Sequence, residues 1–181
     1  LPASPTIISP VNYCKGDSAS ALTASTSGGN SLLWFTSSTG GTGNPVPPVP
    51  ATSTVGSVKY YVAQVSNPQG CIGSRDSITV IINPLPFKPT VVTPVKYCQN
   101  AISTPLQATA SSGNTLLWYN ARTGGIGTSV APLPSTIDTG IYIYYVSQKN
   151  IATGCEGLRD SIIINVLALP TSPLVLSPVN Y

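Results

Sequence analysis

Residues 32–36 are Leu-Leu-Trp-Phe-Thr, and residues 116–120 are Leu-Leu-Trp-Tyr-Asn, 84 positions further along the chain. When residues 1–84 are laid on residues 85–168 without a gap, 36 positions are identical. Self-similarity at a fixed period is the mark of a repeat architecture. The chain therefore contains two copies of one unit.

The period of 84 residues divides the chain into repeat 1 (residues 1–84), repeat 2 (residues 85–168) and a remnant, residues 169–181. The remnant, LPTSPLVLSPVNY, matches the first 13 residues at nine positions. We expect it to be the opening strand of a third, truncated repeat, within an array that continues in the natural protein. In such arrays each repeat contacts chiefly its neighbours, so neighbouring repeats of the same chain are the first expected partners.

Each repeat has the composition of strands joined by turns. Short runs rich in Val, Ile, Thr and Tyr alternate with clusters of Gly, Pro, Ser and Asn, at intervals typical of a β-sandwich. Charged residues make up only 7% of the chain, and no window has the apolar periodicity of a helix. In repeat 1 the pattern predicts strands near residues 6–8, 21–25, 32–36, 58–65 and 78–82. The sequence therefore predicts an all-β fold of tandem immunoglobulin-like β-sandwiches.

The single tryptophan of each repeat is predicted to fill the core between two sheets. Trp34 and Trp118 each follow two leucines within a predicted strand. The rival interpretation is that these rings, together with tyrosines such as Tyr60 and Tyr61, stack on sugars. Neighbouring residues of a strand point to opposite faces, so one tyrosine of the pair faces outward without any ligand being required.

The four cysteines are candidate disulfide residues. Metal binding would need closely spaced cysteines or histidines, and the chain contains no histidine. We therefore predict one disulfide per repeat, Cys14 with Cys71 and Cys98 with Cys155, joining loops at one end of each sandwich. Disulfides persist in oxidising compartments, so the protein is expected to be exported.

Several function classes are disfavoured by what the chain lacks. Without histidine, a Ser or Cys nucleophile has no usual base, and repeat 1 offers only Asp17 and Asp76 for paired-carboxylate chemistry. The net charge of +3 is spread thinly, without the basic cluster that tracks a phosphate backbone. No apolar run approaches the roughly 20 residues that cross a bilayer. We expect no enzyme activity, cofactor, bound metal, nucleic-acid partner or membrane insertion.

The repeat also resembles a known family of surface modules. The similar residues are 13–14 (Tyr-Cys), 22–24 (Leu-Thr-Ala), 33–35 (Leu-Trp-Phe), 39–43 (Thr-Gly-Gly-Thr-Gly), 60–64 (Tyr-Tyr-Val-Ala-Gln), 70–71 (Gly-Cys) and 75–78 (Arg-Asp-Ser-Ile). They are similar to the Ig-like repeats of very large surface proteins of Bacteroidota, which include gliding-motility adhesins similar to SprB. Such proteins are typically exported by the type IX secretion system. The resemblance implies an extracellular location, either attached to the outer membrane or secreted.

The resemblance further implies O-glycosylation at Asp-Ser-apolar sequences. Ser18, Ser77 and Ser161 each follow an aspartate and precede an apolar residue, and Ser77 and Ser161 occupy equivalent positions of the two repeats. The interpretation that needs no glycan is that Asp and Ser simply begin the last strand of the repeat.

Together these features predict a structural or adhesive segment of a long cell-surface protein, a stalk or an adhesin, with gliding motility and filament formation among its implied roles. The alternative is a carbohydrate-binding module attached to a secreted polysaccharide-degrading enzyme, which would present an exposed, coplanar row of aromatic rings. Candidate partners are surface polysaccharide and like chains, the latter through lateral assembly or strand addition by residues 169–181.

Overall fold

A computed structural model of the chain describes residues 1–174. The remnant predicted to open a third repeat lies outside the described residues from position 175 onward, and residues 169–174 contain no strand. All regular secondary structure between residues 1 and 174 is β, as predicted. The chain divides into two compact units, Leu1–Leu85 and a second unit that begins at Pro86. No helix in this part of the chain is long and apolar enough to span a membrane.

Repeat 1 folds into two β-sheets of unequal size, in which most strand pairs are antiparallel. Its strands are β1 (Thr6–Ile7), β2 (Val11–Cys14), β3 (Ala24–Ser25), β4 (Ser31–Phe35), β5 (Gly56–Val65) and β6 (Asp76–Asn83). The larger sheet has the order β2-β6-β5-β4, and β1 pairs with β3 in the smaller one. All pairs are antiparallel except β2 with β6, which run parallel from Val11 opposite Val80 to Cys14 opposite Asn83.

Strand β2 was not among the strands predicted from the sequence. It has only four residues and follows Pro10 directly, and proline is typical of strand edges and connections rather than of strand interiors. Its pairing with β6 places the start of the repeat beside its last strand, so β2 adds to the strands that were predicted for repeat 1.

Repeat 2 repeats this topology. Its strands are β7 (Thr90–Val91), β8 (Val95–Cys98), β9 (Ala108–Thr109), β10 (Asn114–Tyr119), β11 (Gly140–Asn150) and β12 (Asp160–Leu167). The four-stranded sheet has the order β8-β12-β11-β10, with β8 parallel to β12, and β7 pairs with β9. The two repeats are identical at 36 aligned positions, and they adopt the same strand order.

The core of each repeat is built around its tryptophan. Trp34 is 4% exposed and Trp118 is 3% exposed. Trp34 packs with Val62 of β5 and with Ile78, Val80 and Ile82 of β6, and Leu22 joins the same cluster. Ile7 and Ala24 of the smaller sheet pack against this cluster, so the core lies between the two layers. Burial of each such aliphatic side chain contributes about 1.5–3 kcal/mol.

A buried amide fixes the loop before β4. The Gln64 side chain is 2% exposed. Its Oε1 accepts hydrogen bonds from the Ser27 N–H at 3.0 Å and from Asn30 Nδ2 at 2.9 Å, and its Nε2 donates to the Ser4 carbonyl at 3.2 Å. Gln148 is the equivalent residue of repeat 2 and is 1% exposed. Both polar ends of the amide are bonded, which offsets the cost of burying it.

The predicted pairing of cysteines within each repeat is wrong. Cys71 and Cys98 are free, exposed thiols, whereas Cys14 and Cys155 are disulfide-bonded. The reason lies in the sheet, because Cys14 is opposite Asn83, the last residue of β6, whereas Cys71 precedes the first residue of that strand.

A strand of eight residues such as β6 spans about 23 Å at the usual rise per residue. The two cysteines of repeat 1 therefore lie at opposite ends of the sheet, not at one end as predicted. Disulfide-bonded residues have Cα atoms within about 7 Å. Repeat 2 has the same arrangement, with Cys98 opposite Leu167 at the end of β12 and Cys155 before its start.

Candidate functional site on the outer face of each large sheet

The face of the large sheet that points away from the core presents an aromatic residue from the centre of β5 or β11. Tyr60 and Tyr144 pack against the core. Their neighbours Tyr61 and Tyr145 point to the opposite face, because side chains alternate along a strand. Both outward tyrosines are half-buried. The split of each tyrosine pair between the two faces agrees with the sequence-based expectation.

An arginine covers a second aromatic ring on this face. The Arg75 guanidinium carbon lies 3.4 Å from the centroid of the Phe35 ring. Its Nη1 donates to the Ser37 carbonyl and its Nη2 donates to the Gly40 carbonyl, each at 2.7 Å. We call Arg75 and Phe35 the clamp of repeat 1. The clamp fixes the loop after β4 on the sheet, and it was not predicted from the sequence.

The clamp of repeat 2 consists of Arg159 and Tyr119. The Arg159 guanidinium carbon lies 3.2 Å from the Tyr119 ring centroid, and its Nη1 donates to the Ala121 carbonyl at 2.7 Å. The Tyr119 hydroxyl donates to Glu156 Oε1 at 2.5 Å, and the Ser147 hydroxyl donates to the same oxygen at 2.5 Å. Cation–π contact of this kind stabilises by about 0.5–2 kcal/mol.

The environment of Tyr119 opposes its ionisation. Burial raises the pKa of the Tyr119 hydroxyl above its ordinary value, and the hydrogen bond to Glu156 and that carboxylate's charge act in the same direction. The neighbouring Ser147 hydroxyl and Arg159 guanidinium act to lower the pKa but do not cancel the rise. A tyrosinate at this position would be desolvated and would face a carboxylate, so the hydroxyl stays a hydrogen-bond donor.

The Thr-Gly-Gly-x-Gly loop lies directly against each clamp. A Cβ atom on Gly43 would lie 2.7 Å from Phe35 Cζ, and one on Gly127 would lie 2.5 Å from Tyr119 Cζ. Only glycine allows this approach. Gly40 and Gly41 have φ of 65° and 73°, a backbone conformation that favours glycine. The loop therefore supports the clamp.

The serines predicted to carry glycans occupy two kinds of position. Ser77 and Ser161 are half-buried on β6 and β12, and their N–H groups donate to the preceding aspartates at 2.7 and 3.0 Å. Ser18 is exposed after β2, next to Asp17, whose Oδ2 accepts a 2.7 Å hydrogen bond from the Cys14 N–H. Glycosylation of these three serines stays a prediction.

Repeat 2 has a cleft of about 290 Å³ beside its outward tyrosine. Its lining combines an apolar floor from β11 and β12 with charged side chains from three other segments. The lining residues are Lys88, Arg122, Ile143, Tyr145, Arg159, Asp160, Ser161 and Ile163. Among residues 1–174 no three His, Cys, Asp or Glu side chains are grouped so as to hold a metal ion. The cleft brings an apolar floor and charged side chains together in one concave site.

In each repeat the chain passes from a short strand of the smaller sheet to a second short strand, which pairs with the last strand of the repeat in the larger sheet. These two-layer sandwiches define a protein of tandem immunoglobulin-like domains. Both repeats match the family model of the Ig-like domain described as CHU_C associated, over residues 2–84 and 86–167. The chain belongs to this family. This confirms the predicted fold class of tandem Ig-like repeats.

Solved structures with similar architecture are distant in sequence. The fibronectin(III)-like modules of Clostridium thermocellum CbhA have 15% identity and a TM-score of 0.44, with 93% of this chain and 96% of that chain covered. Bacteroides ovatus SGBP-B, solved with a mixed-linkage heptasaccharide, has 12% identity and a TM-score of 0.30, with 91% and 46% covered. Among curated protein sequences, none matches this chain.

Proposed function

We propose that the chain is a structural and adhesive segment of a long cell-surface protein. The observation that supports this most directly is that one family of Ig-like domain occurs twice in succession, each copy with a complete core. A module that buries its own apolar residues can be repeated to extend a protein without depending on a partner for stability. The sides of the modules then remain available for contact.

The finer assignment rests on the resemblance to Bacteroidota repeats. We propose export by the type IX secretion system and an extracellular position, anchored at the outer membrane or secreted, in a protein similar to gliding-motility adhesins such as SprB. The charge-poor, Ser- and Thr-rich surface is compatible with O-glycosylation at Ser18, Ser77 and Ser161. Neighbouring repeats, surface polysaccharide and like chains are the proposed partners, with filament formation as one outcome of contact between like chains.

The surface location is tested on cells of the source organism. Antibody raised against this chain is expected to label intact, unpermeabilised cells, and external protease is expected to remove the signal while a periplasmic marker persists. Labelling that appears only after permeabilisation would contradict the proposal. Removing the two repeats from the parent gene in frame is expected to reduce attachment to surfaces without loss of export, whereas unchanged attachment would leave only a spacer function.

The proposed glycosylation is tested by intact mass spectrometry of the chain from its native host. The expected result is a mass above that of the bare 18.6 kDa polypeptide, with the excess removed when Ser18→Ala, Ser77→Ala and Ser161→Ala are combined. The bare polypeptide mass in wild-type protein would contradict the glycan prediction.

The alternative, a carbohydrate-binding module of a secreted enzyme, has weaker support. Both tryptophans lie in the cores, with 4% and 3% exposure, and so they are not available to stack on sugars. What favours a saccharide partner is the cleft of repeat 2, which an adhesive segment could use equally well.

A further inference from the structure

The cleft of repeat 2 has an apolar, aromatic floor. Ile143 is opposite Ile163, and Tyr145 is opposite Ser161, in the pairing of β11 with β12. These two cross-strand pairs are adjacent on the outer face. The isoleucines are 46% and 37% exposed, so part of their apolar surface faces solvent inside a concave site. Such a floor suits the C–H face of a sugar ring, for which an aromatic ring is a favourable neighbour.

The walls of the cleft are predominantly cationic. Lys88 and Asp160 form an exposed ion pair at 3.4 Å, with side chains 51% and 32% exposed. Arg159 is held by its stacking on Tyr119. Arg122 is exposed in the loop after β10, and within residues 1–174 the structure gives its guanidinium no ion pair or hydrogen bond. Three cations therefore surround one carboxylate, and the guanidinium of Arg122 remains able to bind an anionic ligand.

Repeat 1 does not have this combination. The two repeats share the outward tyrosine, the clamp arginine, and the aspartate and serine at the start of the last strand. The positions that differ, in repeat 2 and repeat 1 respectively, are Lys88 and Ser4, Arg122 and Ser38, Ile143 and Lys59, and Ile163 and Thr79. Repeat 1 therefore lacks the counterparts of Lys88 and Arg122 in the walls, and it lacks the two isoleucines of the floor. The two repeats have the same fold, so this difference comes from side chains alone.

We propose that the cleft of repeat 2 binds an acidic saccharide, a uronate residue of an anionic polysaccharide. The ring would lie on Tyr145 and the two isoleucines, its carboxylate would accept hydrogen bonds from Arg122, and Lys88 would add positive charge. A guanidinium fits a carboxylate with two parallel hydrogen bonds, which favours Arg122 over a lysine for this role. Asp160 would accept hydrogen bonds from sugar hydroxyls. This inference rests on the proposed adhesive function and names its partner.

The test uses the whole chain, with polygalacturonate as the probe and carboxyl-reduced polygalacturonate as the neutral counterpart. Wild-type protein is expected to bind the acidic polymer saturably and the neutral polymer much more weakly. Arg122→Ser, which installs the residue found in repeat 1, is expected to lower affinity by about tenfold or more, as loss of a charge-assisted hydrogen bond predicts. Because Arg122 is exposed in a loop, this variant should remain folded.

The matched control is Lys149→Ser, which removes one positive charge from an exposed position of β11 outside the cleft. It is expected to change affinity by less than about twofold, as is usual for a distant, screened surface charge. Equal losses in the two variants would mean general electrostatic attraction and would overturn the site. Absence of binding by wild-type protein would also overturn it. Neither result would alter antibody labelling of intact cells, so failure of the cleft is distinguishable from failure of the proposed surface function.

Discussion

The two clamps place an arginine on an aromatic ring at nearly the same distance, 3.4 Å in repeat 1 and 3.2 Å in repeat 2, with different chemistry behind the ring. In repeat 2, Tyr119 donates to Glu156, which also accepts from Ser147. In repeat 1 the three equivalent residues are Phe35, Ile72 and Ala63.

The polar groups behind the ring are therefore exchanged between the repeats as a set. At the position of Tyr119, which is 7% exposed, a tyrosine hydroxyl without its acceptor would be a polar group with no partner, which costs about 1–3 kcal/mol when buried. The all-apolar set and the fully bonded polar set both avoid that cost. The Arg–ring stacking, which is common to both repeats, accounts for the shared geometry.

Loss of the core tryptophan, which the two repeats have in common, is expected to lower stability the most. Trp34→Ala and Trp118→Ala should each destabilise the altered repeat by about 3–5 kcal/mol, because a large buried side chain is removed and a cavity remains. Chemical unfolding followed by circular dichroism measures the loss. The remaining tryptophan reports the unaltered repeat by fluorescence, and a loss below about 1 kcal/mol would contradict the assignment of these residues to the cores.

A smaller effect tests the exchange of residues as a set. Tyr119→Phe alone removes one donor from Glu156, and Glu156→Ile alone leaves two hydroxyls without their acceptor, so each should cost about 1–2 kcal/mol. The triple variant with Ser147→Ala, Tyr119→Phe and Glu156→Ile, which copies repeat 1, should cost less than the sum of the singles. Unfolding free energies measure this, and strict additivity would refute the interpretation.

The raised pKa of Tyr119 predicts a difference between the repeats at alkaline pH. In the folded state this hydroxyl holds its proton more tightly than in the unfolded state, where its pKa is about 10. Its contribution is fully present below that pH and is lost as pH rises through the raised folded pKa. The unfolding midpoint of wild-type protein should therefore fall more steeply above pH 10 than that of Tyr119→Phe, and superimposable pH profiles would count against the prediction.

The last prediction concerns the free thiols. In repeat 1 the free thiol lies near the start of the last strand, whereas in repeat 2 it lies near the end of the last strand. Native protein should take up two thiol labels, on Cys71 near the start of β6 and on Cys98 near the end of β12. Cys14 and Cys155 should react only after reduction. Peptide mapping after iodoacetamide treatment checks the sites, and four labelled cysteines without reductant, or none, would show that the cysteine assignment is wrong.

The repeat, the all-β class and the turn glycines could be predicted because they depend on local pattern. The 84-residue period is visible by inspection, Gly40 and Gly41 form a turn that favours positive φ, and the apolar strand around Trp34 has few alternatives to burial. The family resemblance, carried by the same residues, agrees with the domain matched in both repeats.

What could not be predicted depends on which strands become neighbours. The short strand β2 lies beside β6 only because a parallel pair forms across about 70 residues, and that pair decides that Cys14 and Cys71 occupy opposite ends of the sheet. Arg75 and Phe35 meet only once β4, β5 and β6 are assembled. The cleft of repeat 2 combines residues from around Lys88, from the loop of Arg122 and from two strands, and no local pattern links them.

The parallel pairing of β2 with β6 has a mechanical consequence. When the two ends of repeat 1 are pulled apart, force enters through the start of β2 and through the end of β6. The two strands are then drawn along each other in opposite directions, and the hydrogen bonds between Val11–Cys14 and the end of β6 are loaded together in shear. An antiparallel pair at the same place would open one bond at a time. Repeat 2 has the same arrangement in β8 and β12, so each domain resists tension along its own chain direction.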